Sequence, residues 1–517
     1  MSAHSEESAL KDKELKAEHA DDAPPTYAKD EYTAFQGLPP DPDAGCSEEE
    51  KAAIDKRLLR KLDWKLIPWL SLLYLMSFLD RTNIGNAKIA GLTSKPPAGI
   101  GLSGPEYNIS LTVFFISYAL FEPLTNVLLK RLKPSIFLPM IMFFWGLCMT
   151  CMGLVTNYSG LVAVRFFLGL CEAGLFPGVN YYLSCWYKRS EFGIRAAIFF
   201  SAAALAGSFG GLLAYALEKM DGLGSKPGWA WIFIIEGLAT IVISVASIWM
   251  VHDFPDDAKF LSEADRIRVI RRLKMDKQSS AEHEDFKMDY FWSTCKDYKT
   301  WMYSLIYMGA DMPLYAFSLF LPTIISSLGT FSTVQAQLLT IPPYACAAAM
   351  TIFVGWMADR TKQRGIWNIG VSVLGIVGFI MLLSGNSAGV RYAGVYLGAM
   401  GIYPCISNTI SWGSNNFEGV YRRGVAIGIF IGWGNLNGVV SSNIYIATDA
   451  PAYRIGHGIV LAYLVLFLFG GSTVQTLILR AENKKRLAGR RDYWTEGKSH
   501  EEIELLGDRR PDFIYTV

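Results

Sequence analysis

The chain has 517 residues, 51% of them hydrophobic and only 18% charged, with a formal net charge of +1. A water-soluble protein of this length carries more charge. A near-zero balance gives no general attraction to nucleic acid, so none is expected as a partner. The composition points to an all-α polytopic membrane protein.

Residues 1–60 are polar, with Pro24, Pro25, Pro39 and Pro40, and read as a disordered cytosolic tail. No cleavable leader precedes the first apolar stretch, which would then act as an uncleaved signal anchor. About twelve apolar stretches of roughly twenty residues follow. Six lie near 66–86, 109–129, 135–155, 160–183, 195–217 and 230–251. Six more lie near 300–323, 335–357, 366–385, 391–412, 424–446 and 458–479. The expected organisation is a six-helix bundle over 61–252, a cytosolic connector over 253–299, a second bundle over 300–480 and a cytosolic tail over 481–517. The connector contains the basic stretch Arg266–Lys277, whose Ile267, Ile270 and Leu273 suit an amphipathic helix. Such a helix is either a solvated connector between the two bundles or a lipid-binding or regulatory helix.

Basic residues set the orientation. Lys51, Lys56, Arg57, Arg60, Lys61 and Lys65 precede the first span, and Lys130, Arg131 and Lys133 follow the second. Lys188, Arg189 and Arg195 follow the fourth, Arg360, Lys362 and Arg364 the eighth, and Arg422 and Arg423 the tenth. The alternate loops are nearly bare, which places both termini in the cytosol. The connectors KRSEFGIRAAI and FEGVYRRGVAI, after spans four and ten, resemble each other. Spans four and ten also carry Pro177 and Pro404, which would bend or break them. Duplicated halves of this kind are a transporter architecture. Small residues repeat every four positions at Ala203, Gly207 and Gly211 and at Gly424, Gly428 and Gly432. They are read as close-packing faces.

Charge inside the spans carries the functional reading. Asp80 and Arg81 lie within span one, and Arg165 and Glu172 within span four. A charge at mid-bilayer costs at least ~2.5–3.5 kcal/mol, so four in two helices imply a polar cavity. At 1.5 Å per residue, Arg81 lies about 22 Å above the cytosolic start of span one. Arg165 lies about 7–8 Å below the outer start of span four. In a core of about 30 Å these depths nearly coincide. Two guanidiniums at one level make a site for a carboxylate, which arginine grips bidentately. Glu172, two turns from Arg165, shares its face, and a carboxyl beside arginine offers a route to proton coupling. The alternative is a set of static ion pairs.

The stretch GWMADRTKQR, from Gly355 to Arg364, fits the GxxxDRxxxR pattern of the major facilitator superfamily. Asp359 would cap or pair there, and Arg360 and Arg364 would latch the cytosolic side. Asn126 replaces the acid in the first-half counterpart. The blocks LSLLYLMSFLDRTNIGNAKIAGL, VRFFLGLCEAGLFPGVNYYLSCWYKRSE and PGWAWIFIIEGLAT resemble the anion:cation symporter family of that superfamily. More narrowly, they are similar to its fungal allantoate/nicotinate vitamin permease branch, over about residues 60–485. Ala230 between Trp229 and Trp231, and FEPLTN in span two, depart from that branch.

The resemblance implies a twelve-helix major facilitator fold and a proton-driven importer of a small organic anion at the plasma membrane. It assigns Arg81 and Arg165 to the anion and Asp80 and Glu172 to protons. A nicotinate-like monocarboxylate is favoured over allantoate, pantothenate or other vitamin acids. A nutrient receptor using the same cavity is the alternative.

Second-half spans hold Asp311, Asn408, Ser411, Asn435, Asn437 and Asn443, with Tyr307, Tyr315 and Trp433. Asn408 and Asn435 are the expected ligand contacts among them. Glu122 and Glu236, in spans two and six, are expected to be structural. The eight cysteines include a Cys148/Cys151 pair, read as packed thiols. No metal or cofactor is expected, no enzyme motif such as HExxH or GxSxG occurs, and a monomer is expected to suffice. Sequons begin at Asn108 and Asn157, close enough to the membrane to hinder glycosylation.

Overall fold

A computed structural model describes residues 39–275, 288–329, 331–385, 387–499, 502–503 and 506–517. Residues 1–38 of the expected tail, and Asp276 and Lys277 of the basic stretch, lie outside the described residues. Ten helices among the described residues are long and apolar enough to cross a membrane. Two further helices of 28 residues, Gly104–Arg131 and Ala388–Asn415, complete a set of twelve. Both turn polar side chains inward, Ser110 and Glu122 in one and Ser407 and Asn408 in the other.

The first six spans are α1 (Glu48–Ala87), α2 (Gly104–Arg131), α3 (Pro134–Met152), α4 (Tyr158–Glu172 and Leu175–Ser184), α5 (Arg189–Glu218) and α6 (Gly228–Met250). The second six are α7 (Tyr298–Ser327), α8 (Ile341–Thr361), α9 (Gly365–Ser384), α10 (Ala388–Asn415), α11 (Val420–Leu436 and Gly438–Ser441) and α12 (Arg454–Tyr463, continuing to Leu487). Helix α1 begins at Glu48, inside the stretch expected to be disordered. A reciprocal cap fixes that start: Glu50 N–H donates to Ser47 Oγ at 3.3 Å and Ser47 N–H to Glu50 Oε2 at 2.8 Å. The two prolines of spans four and ten behave differently. Pro177 cannot donate to the carbonyl of Ala173, and α4 breaks just there. Helix α10 runs unbroken through Pro404. Asn157 caps α4 by accepting from Gly160 N–H at 2.8 Å, and Asn108 is buried.

The two halves meet along α5 and α8, α1 and α7, and α2 and α11. Gly207 of α5 lies against the ring of Tyr344 in α8, where a Cβ would come within 2.5 Å. At the end that carries both termini, Ile194 N–H donates across the halves to Asp359 Oδ2 at 2.7 Å. At the opposite end, Ser208 Oγ donates to Ile341 O at 3.1 Å and Asn443 Nδ2 to Thr112 Oγ1 at 2.9 Å. The halves therefore touch on both sides of the middle, and the groups there are enclosed.

The connector helix Glu263–Met275 binds its own chain. Arg268 grips Asp43 at 2.7 and 2.8 Å, Arg272 reaches Asp55 at 2.6 Å and Glu191 at 2.5 Å, and Lys61 pairs with Asp265 at 2.9 Å. These cations are engaged in a strut that ties α1 to α5. Residues 506–517 also differ from a loose tail. Asp508 is buried between Lys299 and Arg422 at the start of α7 and α11. Arg486 donates to the carbonyls of Asp508, Arg510 and Phe513, and Trp412 Nε1 donates to Thr516 O at 2.9 Å. Arg364 N–H donates to Val517 O at 2.6 Å. The segment thus straps the ends of α7, α9, α10, α11 and α12.

Candidate functional site

Helical spacing places Ser77 and Arg81 on one face of α1, one turn apart. That face meets α4. The Arg81 Nη2 and Nε atoms donate to Glu172 Oε1 at 2.7 and 3.1 Å, and Ser77 Oγ donates to the same oxygen at 2.5 Å. Arg81 Nη1 donates across the halves to Tyr315 Oη of α7 at 2.6 Å. Tyr315 Oη donates to Asn435 Oδ1 of α11 at 2.8 Å, and Asn435 Nδ2 donates back to Glu122 Oε2 of α2 at 3.2 Å. A continuous polar chain therefore crosses from first half to second and returns. Its members are 0–4% exposed.

Phe114, Tyr118 and Glu122 recur every four residues and form a stripe on α2. The Arg81 guanidinium lies 5.4 Å from the Phe114 ring centre and 4.9 Å from that of Tyr118. The Arg165 guanidinium lies 5.1 Å from the same Phe114 ring. Both expected anion-binding arginines thus share one aromatic ring, which the near-equal depths anticipated. They differ in partners. Arg81 has a carboxylate, whereas Arg165 makes one long bond, from Nε to Ser110 O at 3.4 Å. Its Nη1 and Nη2 atoms are buried without a hydrogen-bond partner. Glu172 Oε2, Tyr118 Oη, Glu122 Oε1 and Asp311 Oδ2 are likewise buried without one. Buried polar groups in folded proteins are almost all paired, so these atoms are the candidates for contact with a guest.

Not every expected residue joins this cluster. Asp80 points about 100° away from Arg81 around α1, into the first half. Its Oδ2 accepts from Trp145 Nε1 at 3.0 Å and from Thr240 Oγ1 at 2.8 Å. Asn408 lies toward the terminus-bearing end of α10. It accepts from Arg364 Nη1 at 3.2 Å and donates to Arg364 O and Asn368 Oδ1. Asn408 thus stands apart from the central cluster, beside the GxxxDRxxxR stretch. Of that motif, Arg364 pairs with Asp359, and Gly355 lies on Ala197 of α5. Arg360 is exposed, with its guanidinium 5.4 Å from the Trp356 ring, outside the Arg364–Asp359 pair. Trp433 is 40% exposed against Trp301, turned away from the centre.

Glu122 and Glu236 also depart from expectation. Glu122 belongs to the central chain, and both oxygens of Glu236 are buried with no hydrogen-bond partner. Sequence reasoning misses Ser77, Phe114 and Tyr118. The four-residue stripe ending at a carboxylate inside an apolar span was the available signal for the last two.

A helical bundle of two pseudo-repeated halves enclosing a buried ionic centre defines a transporter scaffold. Residues 70–442 match the Major Facilitator Superfamily, and the chain belongs to that superfamily. It is 35% identical over 471 residues to the high-affinity nicotinic acid transporter of Saccharomyces cerevisiae, covering 89% of this chain and 85% of that one. It is also 35% identical over 479 residues to the MFS-type transporter cnsO of Penicillium expansum, covering 89% and 90%. In fold it resembles the proton:xylose symporter XylE, with a TM-score of 0.60 at 15% identity over 80% of this chain and 95% of that chain. A bacterial homologue of the lysosomal transporter Spinster, in an inward-facing conformation, gives a TM-score of 0.58 at 16% identity, covering 79% and 96%. The chain is accordingly a multi-pass membrane protein of a transporter family and not an enzyme.

Proposed function

We propose that this protein is a proton-coupled importer of a small organic anion, working by alternating access of its two halves at the plasma membrane, with both termini in the cytosol. The observation that carries the reading is Arg165: a guanidinium in the middle of the bundle, fully buried, with two terminal nitrogens that bond to nothing. An unpaired buried cation is expensive unless an anion visits it. A carboxylate seated there would also lie beside Arg81, on the same Phe114 ring.

Glu172 gives this site its proton dependence. It occupies Arg81 through two bonds, as a resident substitute for the substrate carboxylate. Protonation of Glu172 would release Arg81 to the incoming anion, and departure of the anion would let the internal pair re-form. Because Arg81 also holds Tyr315 of the other half, the exchange at Arg81 is felt across the interface. Asp80 is the second proposed proton carrier, one residue along α1 but facing away from the substrate. One proton with a monoanion moves no net charge, and a second adds ~2.3 kcal/mol of drive per 100 mV. The yeast nicotinic acid relative supports a nicotinate-like monocarboxylate.

The test is uptake in a permease-deficient yeast. Wild-type protein should accumulate labelled nicotinate against its gradient, with loss on adding a protonophore. Arg165→Ala should reach the membrane and accumulate none. Normal proton-dependent uptake by Arg165→Ala would refute the anion site.

A further inference from the structure

The cation-over-ring arrangement at Arg81 is repeated two turns further along α1. Lys88 directly follows that helix with φ −58° and ψ −51°, and its N–H still donates to Ile84 O, so the helical register reaches it. Seven residues separate Arg81 from Lys88, which is about 10 Å of rise with only about 20° of rotation. On α2 the same interval separates Phe114 from Tyr107. Arg81 lies 5.4 Å from the Phe114 ring centre, and the Lys88 ammonium lies 4.5 Å from that of Tyr107. Each helix thus keeps one face to the seam at both levels. Ser110, whose carbonyl accepts from Arg165 Nε, falls between the two rings on α2. Arg81, Arg165 and Lys88 therefore form a line of cations from the centre toward the end away from the termini.

Lys88 differs from Arg81 in having no counter-ion. Among the described residues its ammonium meets no carboxylate and no hydrogen-bond acceptor, only the Tyr107 ring and, at 5.3 Å, the Phe320 ring of α7. An ammonium has three donors to place. A ring face attracts it through a quadrupole alone, and a carboxylate offers full charge and lone pairs, so an arriving anion displaces the rings. The two rings belong to opposite halves and meet edge to face, 6.5 Å between centres. Tyr107 Oη donates to Ile84 O at 3.3 Å, which keeps its ring with the first half. Parting of the halves at this end withdraws Phe320 and uncovers Lys88, which is only half-buried even when they touch. We infer that Lys88 is a separate anion station at this mouth, receiving the substrate carboxylate when the halves part there and passing it inward to Arg165 and Arg81. The inference rests on the anion site proposed above and deepens it, adding the place where the anion first lands. Closure returns Phe320 to Lys88, so the ring takes over the cation as the anion leaves it.

The test is uptake of labelled nicotinate in the permease-deficient yeast, with KM and maximal rate read separately. Lys88→Met keeps the stem and removes the charge. Charge lining a cleft raises arrival rates by about 10–1,000-fold, so loss of one of three cations should raise KM at least about fivefold. The maximal rate should hold, because saturating substrate reaches the arginines without help. Lys88→Arg keeps the charge and should restore KM to within about twofold. An unchanged KM in Lys88→Met would overturn the inference. So would a lower maximal rate at unchanged KM, which is what a mere clasp between two rings would give. A second measurement needs no variant: acetylation of Lys88 in purified wild-type protein by an amine-reactive ester, followed by mass spectrometry, should slow at least about threefold in saturating nicotinate. Unchanged acetylation would overturn the inference even if Lys88→Met fails to reach the membrane. Wild-type protein that accumulates no nicotinate, or Arg165→Ala that accumulates it normally, would sink the anion reading and this inference with it. Failure confined to the Lys88 measurements leaves the central site standing.

Discussion

Asp80 and Arg81 are adjacent, equally buried and bound to opposite kinds of surroundings. Arg81 faces the seam between the halves, where Glu172 balances it and Tyr315 of the second half accepts from it. Asp80 faces the interior of the first half among α3 and α6, with two neutral donors and no cation. Its Oδ1 has no partner, and Glu236, one turn before Thr240 on the same face of α6, has none on either oxygen. On the mechanism proposed above, one cluster exchanges its internal counter-ion for a substrate and the other changes only its protons. Burial and charge alone therefore do not assign a role in a bundle like this one. What decides is whether the side chain lies at the surface that opens.

Removing Arg81 should have the largest effect. Arg81→Ala leaves Glu172 buried without its cation, and breaking a buried pair from one side costs about 3–5 kcal/mol. Thermal unfolding in detergent should show that loss, with no uptake. The double variant Arg81→Ala/Glu172→Ala should recover much of the stability but none of the transport. If it is no more stable than the single variant, the two residues are not coupled as the geometry requires.

The Asp80 cluster should respond less in stability and differently in function. Asp80→Ala strips the acceptor from Trp145 and Thr240, each left buried, at about 1–3 kcal/mol. Asp80→Asn keeps an acceptor oxygen in place and should cost under about 1 kcal/mol. It should still bind substrate, since it does not touch the arginines. Accumulation driven by a pH gradient should fall at least tenfold, because an amide cannot take up and release the proton. Retention of full pH-driven accumulation by Asp80→Asn would remove Asp80 from the coupling and leave Glu172 alone.

The sequence made one half of this comparison visible and concealed the other. Two arginines at matching depths, with Glu172 seven residues from Arg165, already placed three charged groups around one point, because rise per residue and face periodicity are properties of any helix. The same periodicity says that Asp80 points away from Arg81, but not which helices lie on that side. Trp145 and Thr240 come from distant spans, and only tertiary packing brings them to Asp80. Asn408 and Asn435 show the same limit. Both are amides within apolar spans, yet one lies under the gate motif and the other in the centre, since depth within each span depends on where the helix truly begins. The break of α4 at Pro177 and the continuity of α10 through Pro404 likewise depend on neighbours. The strap over 506–517 was illegible for another reason: its anchors are single residues, Asp508 and Thr516, with no periodic pattern.

That strap supplies the third member of the series and the smallest predicted effect. Asp508 has two cations, Glu172 one and Asp80 none among the described residues. Lying outside the spans, it can be titrated from water. Burial raises its pKa, but the charges of Lys299 and Arg422 outweigh burial and hold it below the ordinary 3.8. A lowered carboxyl pKa stabilises the attached strap above the unfolded value of about 3.9, and that contribution disappears as pH falls through the lower folded value. Hydrogen exchange over residues 506–517, corrected for intrinsic rates, should therefore stay slow from pH 7 down to about 4 and accelerate only below it. Asp508→Asn should raise exchange there about tenfold at pH 7, since an amide accepts from Lys299 less strongly than a carboxylate. Global unfolding should hardly move, because detaching the strap leaves the twelve spans packed. Exchange in the variant equal to wild type would mean that the carbonyl bonds of Arg486, rather than the Asp508 charge, hold the segment.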